Sequence, residues 1–199
     1  MKKKLFEIAD ITQGSILTRI KDEYGKKMKT LTMQQLSYYV NSSDDKGEDN
    51  DILVNVDKIE NLCISKINDV VIGLSSCNAM VVEKENENKI ILSNFIRVKV
   101  KQNLVDQNFL CWTINQNKDV RLLLNSFVQG TTKVAIIKAT DFKNLEIDLI
   151  PLSEQKKIGS IYQLMRKKYR IERRKSDLRN NVYNKMLMEE YKKLTEEKR

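Results

Sequence analysis

The sequence predicts an α+β chain in which a mixed α/β domain over residues 1–152 is followed by one long C-terminal α-helix over residues 153–199. Three observations predict it. Short apolar runs alternate with polar breaks from Leu5 to about Leu149, the pattern of strands and short helices in a mixed domain. Past the single proline, Pro151, no glycine other than Gly159 interrupts a helical pattern. The charge divides at the same place: residues 1–152 carry 21 Lys/Arg against 20 Asp/Glu, and residues 153–199 carry 15 against 7, so nearly all of the net +9 lies in the last quarter. A length of 199 residues suits one ordinary domain with an appended element, and 41% apolar residues can build its core.

In chain order, the strand candidates are residues 5–8, 52–56, 70–74, 80–83, 90–92, 95–100, 134–137 and 145–149. Two helices interrupt them, over residues 106–114 and 118–127; in the second, Val120, Leu123, Leu124 and Phe127 recur at helical spacing. Residues 18–32, rich in lysine and small polar side chains, read as a loop. So do the acidic stretch 42–51 and the turn 84–89. The acidic stretch is repelled by nucleic acid and is expected to face away from it or to fold over a partner.

Ser153 is a good N-cap, with Glu154 and Gln155 in the first turn. A helix from there to about residue 197 is roughly 65 Å long at about 1.5 Å per residue, more than a compact domain needs, so its outer part must meet something else. Ile161, Leu164, Ile171, Leu178 and Val182 keep a near-heptad spacing broken by Lys168 and Lys175. A second stripe runs through Ile158, Tyr162, Met165 and Tyr169, and a third through Tyr183, Leu187, Tyr191 and Leu194. A hairpin folding back at Asn180-Asn181 is the alternative to a partner helix. The basic side chains from Arg166 to Arg179 suit either a polyanion or a solvated face.

The absence of histidine removes His-dependent triads, HExxH metalloproteases and most transition-metal sites, and the chain has neither a P-loop nor a GxGxxG turn. Cys63, Cys77 and Cys111 lack the paired spacing of a zinc or redox site and read as free thiols of a reducing cytosol. No apolar run approaches membrane-spanning length, and neither an anchor nor a signal peptide is expected. These features favour a cytoplasmic binding protein without metal or cofactor.

Several stretches carry a resemblance. They are Leu5-Phe6-Glu7-Ile8-Ala9-Asp10-Ile11-Thr12-Gln13-Gly14, Asn68-Asp69-Val70-Val71-Ile72-Gly73-Leu74, Gln129-Gly130-Thr131-Thr132-Lys133, and the run from Phe142 through Ile150-Pro151-Leu152-Ser153-Glu154-Gln155 to Ile158. In order and spacing the chain resembles half of a type I restriction-modification specificity subunit, with one target recognition domain and one spacer helix. Members of usual size have two of each, and this chain shows no internal repeat. The resemblance implies double-stranded DNA, methyltransferase subunits and restriction subunits as partners. It also implies a homodimer, or pairing with a second half-subunit, through antiparallel helices that hold two DNA half-sites apart. Methyl transfer and cleavage, with S-adenosylmethionine and ATP, would then belong to those partners.

On the residues themselves, Gly14 can end a strand and open a projecting basic segment holding Arg19, Lys21, Tyr24, Lys26, Lys27 and Lys29. That segment, Ser76 and Asn78 of the next polar turn, and Gln129, Thr131, Thr132 and Lys133 are the DNA-contact candidates. Amides suit adenine, arginine suits guanine, and lysines suit phosphate. Gly130 equally suits a turn that caps the preceding helix. The partner-helix candidates are Ile161, Leu164, Ile171, Leu178, Val182, Leu187 and Tyr191. Three other functions compete. Asp69 with Glu87-Asn88-Lys89 loosely matches a metal-dependent nuclease; the acidic stretch suits an adaptor that mimics a specificity subunit without binding DNA; and the basic helix could bind nucleic acid without sequence preference.

Overall fold

The computed structural model describes residues 1–40, 45–127 and 137–196. Its centre is a four-stranded antiparallel sheet of order β2-β7-β5-β6, with β2 at Ala9–Gln13, β5 at Val70–Gly73, β6 at Ala79–Val81 and β7 at Phe95–Val100. β5 is buried along its whole length, which explains its unbroken apolar run: both of its faces are covered. Val70 and Ile72, with Ile96 and Val98, face a core shared with four helices, α1 (Leu5–Ile8), α4 (Gln107–Gln116), α5 (Lys118–Phe127) and α6 (Ala139–Lys143). Val71, Met80 and Phe95 face the other way, onto Leu36 and Tyr39 of α3 (Met33–Val40).

Two smaller antiparallel pairs flank this sheet. β1 (Lys2–Lys4) pairs with β8 (Glu146–Asp148), tying the start of the chain to the approach to the long helix. β3 (Lys21–Thr30) pairs with β4 (Asn50–Val54) over a third apolar cluster of Ile20, Val54, Leu62 and Ile90. A short helix, α2 (Leu17–Ile20), leads into β3.

The structure corrects several expectations. Residues 5–8 form a helical turn: Leu5 and Ile8 both face the core, a spacing of three that a strand would send to opposite faces. Residues 18–32 are mainly α2 and β3 rather than a loop, because Met28 packs on the third cluster while Lys27 and Lys29 face outward in strand alternation. Residues 90–92 make only isolated bridges. α3 had no counterpart in the sequence reading. The 134–137 candidate lies outside the described residues except for Ile137, whose N–H donates to the Leu74 carbonyl.

α7 runs unbroken from Leu152 to Glu196, 45 residues, with no hairpin at Asn180-Asn181. Ser153 lies inside its first turn rather than at the cap, and the Pro151 carbonyl accepts from the N–H groups of Glu154 and Gln155. Among the described residues no helix is long and apolar enough to cross a membrane.

Candidate nucleic-acid interface

At one end of the central sheet the chain leaves β2 and β5 on either side of the start of β7, with Gln13 opposite Ile96 and Gly73 opposite Phe95. Gly14 donates to the Phe95 carbonyl, and a Cβ built on Gly14 would lie 2.0 Å from the Leu92 carbonyl oxygen, so only glycine fits where the chain departs toward α2. The Gln13 amide reaches the Ser93 carbonyl, and Leu74 N–H donates to Asn94. The basic segment and the 75–78 turn therefore start from the same end of the sheet.

β3 bulges where Lys21 and Lys26 both lie opposite Val54, so residues 22–25 project. Asp22 fixes the projection, accepting from Tyr24 N–H at 3.1 Å and from the Asn55 side-chain amide at 3.0 Å. Gly25 lies against the Val54 backbone, where a Cβ would meet the carbonyl oxygen at 2.2 Å. Tyr24 stands at this projection 94% exposed, an aromatic ring with no apolar cover. Arg19, Lys21 and Lys26 are exposed and make no ion pair among the described residues, while Lys58 Nζ ties down the Arg19 carbonyl at 2.6 Å.

Lys27 and Lys29 are occupied. Lys27 pairs with Asp51 at 2.9 Å and Lys29 with Asp49 at 2.6 Å, each diagonally across the β3–β4 ladder. Asp49 also takes the buried Lys89 ammonium at 2.6 Å and the Gln35 amide at 3.0 Å. The hydrogen bond from Lys29, then that from Lys89, holds the Asp49 carboxyl far below the usual carboxylate range. The described part of the acidic stretch is thus an internal counterion for the basic strand. Residues 42–44 lie outside the described residues.

Ser76 and Asn78 are half-buried in the turn joining β5 to β6. Ser76 Oγ accepts from Asn78 N–H at 3.3 Å, Cys77 holds a left-handed φ of 52°, and Arg121 grips the Cys77 carbonyl at 3.0 Å. Gln129, Thr131, Thr132 and Lys133 lie outside the described residues, as does Gly130.

The nuclease-like residues are engaged separately. Asp69 is buried, accepts from Lys66 N–H at 3.2 Å and lies 3.8 Å from Arg97; burial pushes its carboxyl up. Lys89 is bound to Asp49, and Glu87-Asn88 belongs to a turn in which Asn88 has a φ of 59°. Among the described residues no group of three His, Cys, Asp or Glu side chains could hold a metal ion. All three thiols are buried, and burial raises each, which leaves them protonated and inert.

The part of α7 up to Arg170 docks on the globular part through one face. Gln155 is buried, accepts from Asp106 N–H at 3.1 Å and donates to the Leu104 and Ile150 carbonyls. Gly159 lies against the N-terminus of α4, and the Tyr162 hydroxyl accepts from the Asn115 amide at 2.7 Å. Arg166 donates to the Val40 carbonyl at 2.6 Å, and Arg170 to Glu83 at 3.2 Å. Two of the basic residues that suited a polyanion therefore fasten the helix to its own domain. Sequence reading missed them because a docking arginine and a phosphate-binding arginine look alike in a charge run.

Beyond Arg170 the helix projects. At about 100° per residue, Leu164, Ile171, Leu178 and Val182 fall nearly opposite the docked face, whereas Tyr183, Leu187, Tyr191 and Leu194 form a second stripe that flanks the docked face, Tyr191 nearest to it. Ile161, Leu164, Ile171, Leu178, Val182, Leu187 and Tyr191 are all between 54% and 68% exposed. Ile161 also lines a 260 Å³ groove with Trp112, Gln116, Ile158 and Met165.

No protein-family model and no curated protein matches this chain. Solved structures do. A chain from a study of complex assembly and conformational transition in the type I R-M system superposes with a TM-score of 0.62 at 14% identity, over 92% of this chain and 46% of that one. The HsdS subunit from Thermoanaerobacter tengcongensis gives 0.60 at 16% identity over the same shares. The type I restriction-modification S subunit from M. genitalium gives 0.51 at 15%, over 81% and 37%. This chain spans less than half the length of each, and its globular part and long helix together have the fold of a type I specificity subunit.

Proposed function

We propose that this chain is a half-length specificity subunit of a type I restriction-modification system: a DNA-recognition domain over residues 1–152 and a spacer helix over residues 153–199. Two copies, or this chain and a second half-subunit, pair through α7 and read a bipartite site, and methyltransferase subunits dock on the pair. The observation that carries this reading is the fold likeness over less than half of the S-subunit chains, combined with a projecting helix whose apolar faces no described residue covers. A large exposed apolar surface on a water-soluble chain marks an interaction site.

On this reading Arg19, Lys21 and Lys26 neutralise phosphate or read guanine, and Tyr24 packs against the DNA. Ser76 and Asn78 lie at the same end of the sheet, as does the segment that resumes at Ile137. Gln129, Thr131, Thr132 and Lys133 remain candidates by sequence. Lys27 and Lys29 would reach phosphate only by giving up Asp51 and Asp49. That occupancy favours a second reading, a specificity-subunit mimic that binds methyltransferase without DNA. Selection from a random double-stranded DNA library, with and without methyltransferase, separates the two. The specificity-subunit reading predicts enrichment of two half-sites around an unread spacer, in inverted repeat if the pair is a homodimer. Methyltransferase binding with no enrichment would replace it with the mimic.

A further inference from the structure

Arg166 and Arg170 occupy the last docked turns of α7. Both reach the same neighbour, α3, directly or through its side chains. Arg166 donates to the carbonyl of Val40, the last residue of α3, a favourable place for a cation because the C-terminal carbonyls of a helix are unpaired and carry negative partial charge. Its guanidinium also lies 4.9 Å from the centre of the Tyr162 ring. One turn further out, Arg170 stands 5.0 Å from the centre of the Tyr39 ring on α3 and pairs with Glu83, while the Tyr39 hydroxyl bonds Glu85, which also pairs with Lys46.

α3 is in turn fixed to the β3–β4 pair. β3 ends at Thr30, Leu31 N–H donates to the Ile90 carbonyl, and at the start of α3 the Thr32 hydroxyl accepts from Gln35 N–H while the Gln35 side-chain oxygen accepts from Thr32 N–H. A continuous mechanical path therefore runs from β3 through α3 and two arginines to the helix.

We propose that Arg166 and Arg170 are positioning residues that fix the angle between α7 and the β3–α3 unit, and so set the spacing between the two DNA half-sites. The spacing consequence rests on the specificity-subunit reading above; the clamp itself does not. Without them α7 keeps its inner anchors at Gln155, Gly159 and Tyr162, and it pivots there. The stretch from Tyr162 to Glu196 is a lever of about 51 Å, so a tilt of only about 4° carries its end by one base-pair step, about 3.4 Å. Guanidinium planes suit this task better than ammonium groups because each couples a directed hydrogen bond to stacking on a ring.

The test compares the parent chain with R166A/R170A and with K167A, which removes one exposed charge from the same stretch of helix. Nitroxide labels at Lys99→Cys on β7 and Asn184→Cys on the outer helix report the angle directly, since the three native thiols are buried. Random-DNA selection on the unlabelled chains reports the spacing. R166A/R170A is expected to keep the half-site bases, to broaden the inter-label distance distribution, and to accept spacers differing by one base pair or more; K167A is expected to match the parent in both measurements. A distribution as narrow in R166A/R170A as in the parent overturns the clamp, and a broadened distribution with unchanged spacer overturns its link to spacing. A parent that selects no bipartite DNA while R166A/R170A still broadens overturns the specificity-subunit reading and leaves the clamp standing.

Discussion

Asp49 gathers two ammonium groups and an amide around one carboxylate, and one of those ammonium groups, Lys89, is buried with a side chain only 4% exposed. Replacing Asp49 with asparagine leaves that charge without its partner. The expected loss is about 2 kcal/mol, below the range for fully buried pairs because Asp49 keeps a third of its side chain in water. The pH dependence follows from the lowered carboxyl. A depressed acid contributes its stability above its unfolded value, near 3.8, and loses it as the pH falls further toward the folded value. Urea midpoints of the parent should therefore drop below pH 3.8 more steeply than those of D49N; parallel curves would mean the cluster is not coupled to folding. On the outer face, Lys21 and Lys26 lack such partners among the described residues. If they meet phosphate, K21A/K26A should weaken DNA binding on all sequences alike and lower the slope of log affinity against log salt by about 2, as measured by anisotropy titration.

Helix α7 shows how much local sequence can settle. Its existence and length follow from a breaker-free stretch after Pro151, and β5, β7 and α5 follow equally from apolar runs and helical spacing. What the sequence hid were elements whose identity depends on tertiary partners. The α1 turn is only four residues long, too short for its apolar spacing to register as helical in the sequence. The basic 21–30 stretch reads as loop by composition and is a strand because β4 pairs with it and Met28 finds a core. α3 is only eight residues long and is stabilised by capping and packing rather than by propensity. The docked face was equally hidden, since Gln155, Arg166 and Arg170 resemble solvated helix residues until their acceptors are known. Gly159 is its most sensitive point. A Cβ there would lie 2.3 Å from Asp106 Oδ1, the acceptor that caps α4 at Phe109 N–H, and 2.9 Å from that nitrogen. G159A should cost a net of about 1–3 kcal/mol through overpacking and loss of the cap, where the same replacement in an open helix would gain about 1 kcal/mol. Thermal unfolding of the two proteins checks this; an unchanged or raised midpoint would mean that α7 does not seat closely on α4.

For the whole molecule the central feature is imbalance. The central sheet of the globular part is buried on both faces, while more than half of α7 leaves it with apolar side chains more than half exposed on two sides. Leu164, Ile171, Leu178 and Val182 make a seam interrupted by Lys168 and Lys175, the kind of polar interruption that trades stability for a defined register. Antiparallel pairing of two such helices puts the globular parts at opposite ends, which is what a two-part DNA site read by one chain type requires. Which side chains would contact DNA on the proposed reading was not legible, because exposed polar side chains carry no mark that separates base readout from ordinary solvation. The measurement that tests this account most directly is the mass of the purified chain in solution by light scattering, beside that of I171E/L178E. Pairing of two copies through α7 predicts twice the 23.3 kDa chain mass for the parent and a single chain mass for the variant. A parent of 23.3 kDa at tens of micromolar, or a dimer indifferent to I171E/L178E, would contradict self-pairing through α7.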